Sequence, residues 1–156
     1  MTSRTMPGIL AGLAAGMVFG MMMQMMNVPT PDGGHMPLMA MVAKVVRSDS
    51  VAMGWAYHLF NSAVIGGLFG ALLGARVRGY GSAVKLGAIY GMVWWVLGAL
   101  FLMPVLLGMP AFASLRMAPM RPIAAASLMG HVLFGMILGA GFQGLRAWQS
   151  LRPTLA

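Results

Sequence analysis

Four long apolar runs dominate this chain, at about 8–26, 51–75, 83–108 and 123–145. A helix crosses a hydrocarbon core with roughly 20 residues at about 1.5 Å each, so every run is long enough. None alternates with the period of two that a membrane-spanning strand requires. With 60% hydrophobic and only 8% charged residues, the chain also lies outside the balance of water-soluble domains. The expectation is an all-α integral membrane protein, one domain over 1–156, folded as a four-transmembrane-helix bundle. The first run reads as a retained helix, because Arg4 is its only early charge and no small-residue cleavage site follows "MMMQMMNVPT".

Self-similarity organises the runs. "GLAAGMV" from Gly12 to Val18 aligns with "GAIYGMV" from Gly87 to Val93, and Pro29 then falls opposite Pro104. After the first connection the offset shortens by two. Met36 and Pro37 match Met109 and Pro110, Ala40 matches Ala113, His58 matches His131, Gly66 matches Gly139, and Phe69 matches Phe142. The chain therefore reads as two tandem two-helix repeats, about 8–75 and 83–147. Two spans return the chain to its starting side, so the halves would be related by a pseudo-twofold axis along the membrane normal. That symmetry predicts His58 and His131 at one depth.

The first and third connections each suggest a short interfacial helix. "MPLMAMVAKVVRSDS" sets Lys44 and Arg47 three apart on an apolar segment, which suits a helix with its basic side toward headgroups. "MPAFASLRMAPMRP" is its shorter counterpart, and Pro119 and Pro122 are expected to interrupt its passage into the fourth span. Basic residues divide as Arg4, Arg76, Arg78, Lys85, Arg146 and Arg152 on one side, against Lys44, Arg47, Arg116 and Arg121 on the other. That bias places both termini in the cytoplasm, with Trp148 and Tyr80 as interfacial anchors there. The net charge of +8 is scattered among termini and connections, so the partner it implies is the lipid bilayer and its anionic headgroups rather than nucleic acid.

Within the runs, small residues recur every fourth position. Gly8, Gly12, Gly16 and Gly20 form a ridge along the first helix, and Gly87 and Gly91 begin one in the third. The second carries His58, Ser62, Gly66, Gly70 and Gly74 at this spacing, and the fourth His131, Gly135, Gly139 and Gln143. In lipid, such ridges mark helix–helix contact through close packing. Both histidines therefore face protein, where their nitrogens would reach a backbone carbonyl, Asn61, Ser62 or each other. The plainer role for them is interhelical hydrogen bonding; the chemical role is to bind a metal or the iron of a haem.

A copper site is the other candidate, from His35 with Met36 and Met39 near the outer end of the first helix, since thioether and imidazole suit Cu(I). The plain reading of the 19 methionines is adaptable packing. Cysteine is absent, which excludes disulfides, thiolate metal sites and cysteine nucleophiles. Glutamate is absent too, and Asp32 and Asp49 lie in the first connection, so no intramembrane acid is available for a proton relay or for hydrolysis. Ser62 follows His58 by four residues without an orienting acid.

"GLAAGMVFG", the proline at Pro29 and the motifs "HLFNSAVIGGLFG" and "HVLFGMILGAGF" resemble those of a loosely defined group of small four-span proteins of the bacterial inner membrane. That resemblance implies a fold and a location, and no agreed activity. The leading expectation is a non-enzymatic structural or accessory membrane protein without cofactor, packing with itself as a homo-oligomer or within a larger membrane complex. A copper or haem protein using His58 and His131 is the alternative, and a transporter or channel component the third.

Overall fold

The computed structural model describes residues 4–30 and 33–151. Arg152 and Asp32, which entered the charge reading above, lie outside them. In chain order the elements are α1 (Thr5–Met25), a hairpin of β1 (Asn27–Pro29) and β2 (His35–Pro37), α2 (Leu38–Val45) and α3 (Val51–Leu72). A helical run follows, made of α4 (Tyr80–Trp94), a π-helix (Trp95–Leu102) and α5 (Met103–Leu106). Then come α6 (Ala113–Arg116), a 3-10 turn (Ala118–Met120) and α7 (Arg121–Leu151).

Three stretches, Thr5–Met25, Tyr80–Leu106 and Ala118–Leu151, are long and apolar enough to cross a membrane. α3 matches them in length at 22 residues, but Trp55, Tyr57, His58 and Asn61 in its first half lower its hydropathy. The fourth helix runs longer at both ends than the apolar run suggests. Pro122 is no obstacle to it, because proline is tolerated in the first turn of a helix, where its missing N–H has no partner to lose.

Glycine decides which helices pair closely. A Cβ on Gly12 would strike the Ser62 carbonyl, and one on Gly66 the Gly8 carbonyl, so α1 and α3 lie backbone against backbone. In α4 and α7, Gly87 lies on the Gly135 carbonyl, Gly91 on the His131 carbonyl and Gly139 on the Ala83 carbonyl. Such approach is open only to residues without a side chain. α1 and α7 join the two pairs through larger residues. Ala15, Leu138 and Phe142 are fully buried there, and Phe19 covers the Cα of Gly130. The resulting order is α3, α1, α7, α4. α3 and the run Tyr80–Leu106 stand apart except where Tyr90 donates its hydroxyl to the Ile65 carbonyl at 2.9 Å. Beside that bond the rings of Phe69 and Tyr90 meet edge to face at 5.4 Å, and those of Phe69 and Phe142 at 5.5 Å.

The first connection does form a helix. α2 buries Leu38, Met39, Val42 and Ala43 against the bundle and leaves Lys44 exposed. Ahead of it the antiparallel hairpin pairs Val28 with Met36, and the Leu38 N–H donates to the Met26 carbonyl at 2.7 Å, tying α2 to the end of α1. No strand was expected from the apolar pattern, since each strand spans three residues and ends in proline.

Pro104 explains the irregular third run. Lacking an N–H and crowding the carbonyl one turn back, it cannot continue the α ladder behind it. The backbone widens to a π-helix over Trp95–Leu102, and the Leu100 carbonyl takes its hydrogen bond from the Phe112 N–H at 2.7 Å. Phe112 sits in the left-handed region (φ 62°) to deliver it. The run ends in a Schellman cap: Gly108 (φ 77°) donates to Val105 at 3.0 Å and Met109 to Pro104 at 2.8 Å.

Two predictions follow from this packing. Gly135→Val should lower the stability of the detergent-solubilised protein by about 1–3 kcal/mol, because the clash is with backbone that must shift. Gly81→Ala, at a position facing open space, should not lower it. Equilibrium unfolding in mixed micelles, followed by circular dichroism, measures both. At the α2–α3 connection Lys44 pairs with Asp49, whose carboxyl is held below the ordinary 3.8, first by the hydrogen bond and then by the charge of Lys44. Whatever the pair adds is complete above that ordinary value and lost as pH falls through the lowered one. In Lys44→Met, the Asp49 titration midpoint read by NMR should rise toward 3.8.

Candidate functional site

The space between α3 and the run Tyr80–Leu106 is a cavity of about 230 Å³. Its floor is made by the central helices, with Phe19 from α1 and His131 and Phe134 from α7. Its walls are Tyr57, His58 and Asn61 on α3, facing Trp94 and the π-helical Gly98 and Ala99. Val42 and Val45 of α2 cover one end. At its margin Val64, Leu102 and Leu106 are exposed, so the cavity opens sideways between two helices. The π-helix matters here because its wider turn forms one wall, and such segments often accompany functional sites.

His58 and His131 line this single cavity, one on either side of Phe19. The Phe19 ring stands edge-on to both, at 5.8 Å from His58 and 4.8 Å from His131. His58 Nε2 lies 2.9 Å from the Gly16 carbonyl, a bond between α3 and α1. His131 differs: its Nδ1 lies 2.8 Å from the Ser127 carbonyl on its own helix. The expectation of interhelical bonding thus describes His58 and not His131. A carbonyl oxygen only accepts, so each of these nitrogens carries the hydrogen, and this fixes the tautomer of the neutral ring.

Ser62 is buried and donates its hydroxyl to the His58 backbone carbonyl at 2.8 Å. It therefore points away from the imidazole and makes no nucleophile pair with it. Asn61, one turn from His58 and partly buried, makes no hydrogen bond to any described residue.

The remaining predicted positions fall as follows. Gly16 accommodates the Ser62 side chain, Gly20 the Trp55 ring, Gly70 the Arg4 carbonyl, and Gly74 the Phe142 ring. His35 is exposed on the hairpin, Met36 is partly buried, and Met39 is fully buried in the core, so ring and thioether face different surroundings. Among the described residues no group of three His, Asp or Glu side chains could hold a metal ion. The cavity is also smaller than the roughly 300–1,000 Å³ of pockets for drug-sized ligands. Sequence reasoning missed Phe19, Trp94 and the π-helix as parts of the site. The signal for the last was Pro104, ten residues after Trp94 in an otherwise unbroken apolar run.

No family model matches the chain, and no curated protein or solved structure matches it.

His58→Leu should lower stability by about 0.6–2 kcal/mol, the worth of one hydrogen bond between membrane helices. Ser127→Ala, which removes only the long 3.4 Å hydroxyl contact to His131 Nδ1 and keeps the carbonyl at 2.8 Å that holds the ring, should be near neutral. The same mixed-micelle unfolding measurement separates the two.

Proposed function

We propose that the chain is a non-enzymatic four-span protein of the bacterial inner membrane that holds a small lipid-soluble guest in its lateral cleft. The observation that carries this reading is the cavity itself. Two imidazoles and an Asn61 carboxamide without a partner among the described residues line a space that opens between helices rather than toward an end of the bundle. Polar groups at this depth are costly unless satisfied, and a guest entering from the acyl chains would satisfy them.

α3 serves as the fourth span in this reading, since its glycine contacts hold it along the length of α1. A tandem duplication is supported by equivalent contacts at the offsets of the sequence repeat. Gly12 on the Ser62 carbonyl corresponds to Gly87 on the Gly135 carbonyl, and Gly66 on Gly8 corresponds to Gly139 on Ala83. Phe69 and Phe142, equivalent in the repeat, touch each other, as residues beside a pseudo-twofold axis would. With both termini in the cytoplasm, the cleft faces the acyl chains of the outer leaflet under the cover of α2. Binding rather than catalysis is favoured because the Ser62 hydroxyl is committed to a backbone carbonyl and Asp49 to Lys44. The exposed apolar faces suit the bilayer, and a second copy or partner subunit would meet them there.

The test is organic extraction and mass spectrometry of protein purified in mild detergent, beside an Ala99→Trp variant that fills the cleft. A lipid-soluble molecule retained by the natural protein and lost from the variant is expected. Equal retention by both would overturn the reading. A Soret band in the absorption spectrum of the natural protein, lost in His58→Asn or His131→Asn, would instead establish a haem protein.

A further inference from the structure

We infer that the guest is a phenol or hydroquinone: a neutral aromatic ring that places hydroxyl donors on the two histidines and carries an apolar tail. This deepens the cleft reading above and depends on it. His58 Nε2 is committed to the Gly16 carbonyl and His131 Nδ1 to the Ser127 carbonyl. Among the described residues the one carboxylate is Asp49, exposed on the α2–α3 connection and paired with Lys44. An imidazolium at membrane depth without a counter-charge is costly, so both rings are neutral. His58 Nδ1 and His131 Nε2 are then bare lone pairs, able to accept and unable to donate.

Both rings line the cavity, His58 on its wall and His131 on its floor, and acceptors there select a guest with hydrogens to give. Asn61 adds two amide donors and an acceptor beside them, without a partner among the described residues. Charge narrows the class further. A cationic guest would find no carboxylate among the described lining residues, and a carboxylate guest no lysine or arginine. Hydroxyl groups on an uncharged frame meet both conditions.

Shape supplies the ring. Phe19, Tyr57, Trp94 and Phe134 surround the polar groups, and flat aromatic walls favour a flat guest that offers edge-to-face or offset contact. About 230 Å³ accommodates a substituted six-membered ring, since a cavity of about 150 Å³ already takes up benzene. A tail longer than the cavity leaves past Val64, Leu102 and Leu106 into the lipid. The cleft thereby distinguishes redox forms of one molecule. A quinone presents carbonyl acceptors to acceptor nitrogens, leaving both rings unpaired, whereas its hydroquinone pairs with both.

Isothermal titration of the full-length protein in dodecyl maltoside under argon, with decylhydroquinone and with decylbenzoquinone, tests this. The two probes differ by two hydrogens. The hydroquinone should bind at least about tenfold more tightly, and His131→Phe should erase that preference, since leaving one buried polar group unpaired costs about that factor. Asn61→Leu, which removes no hydrogen bond within the described protein, should weaken both probes several-fold and guards against a His131 variant that fails to fold. Equal affinity of the two probes would overturn the donor assignment while leaving the cleft as a binding site. Binding of neither probe, with another molecule extracted from the natural protein, would overturn the phenolic class alone. Binding of neither, with no guest extracted, would overturn this inference together with the cleft.

Discussion

The contact on which the rest of the structure depends is backbone against backbone at glycine. Between helices in lipid there is no hydrophobic gain from association, so close approach, carbonyl contacts and hydrogen bonds must supply the stability. Gly12, Gly66, Gly87, Gly135 and Gly139 provide that approach, each lying so near a carbonyl of the facing helix that even a methyl group would collide. Glycine in a helix costs roughly 1 kcal/mol of propensity relative to alanine. The repeated use of it along two helix pairs is intelligible only if the approach returns more than that.

Close pairing in two places forces looser packing elsewhere. α1 and α7 meet through Ala15, Phe19, Leu138 and Phe142, larger residues that hold the two pairs at a wider spacing. At one end the resulting space is filled by Phe69, Tyr90 and Phe142. At the other it is not filled, and that unfilled space is the cleft. The π-helix enlarges it further, because Pro104 cannot complete the α ladder and the chain takes the wider turn where Gly98 and Ala99 face the cavity. Pro104 and the larger residues between α1 and α7 thus convert a tightly paired bundle into one with a lateral opening.

How much of this was legible in the residues depends on the range of the interaction. The long helices and the glycine contact faces follow from hydropathy and spacing, which are local properties, and both were read from positions such as Gly87 and Gly135. α2 was legible for the same reason, with Lys44 on its exposed side. The hairpin was not, because Asn27–Pro29 and His35–Pro37 are too short for any period to register. The cleft was also beyond reach. It is defined by where α3 and the run Tyr80–Leu106 part beyond the Tyr90–Ile65 bond, and no pattern along one helix reports a gap between two. His131 was read correctly as facing protein, yet its bond to Ser127 on its own helix could not be separated from an interhelical bond by spacing alone.

The distribution of hydrogen-bond donors gives the cleft its character. Tyr90 donates to the Ile65 carbonyl, Trp95 to Ala124 at 3.2 Å, Ser62 to His58, and Trp55 to the Gln24 side chain at 3.3 Å. Each is a side-chain donor resolved by an acceptor on a helix, as a solvent without hydrogen bonds demands. The two imidazole N–H groups follow the same rule. Spending the donors in this way leaves acceptors behind on His58 and His131, which both line the cleft. Asn61 stands among them with its amide uncommitted among the described residues. Had these positions served only to bind helix to helix, an indole like that of Trp95, a donor without an acceptor, would have done so without residual polarity. His58, Asn61 and His131 have bonding capacity beyond what the described residues use, and all three line the cleft.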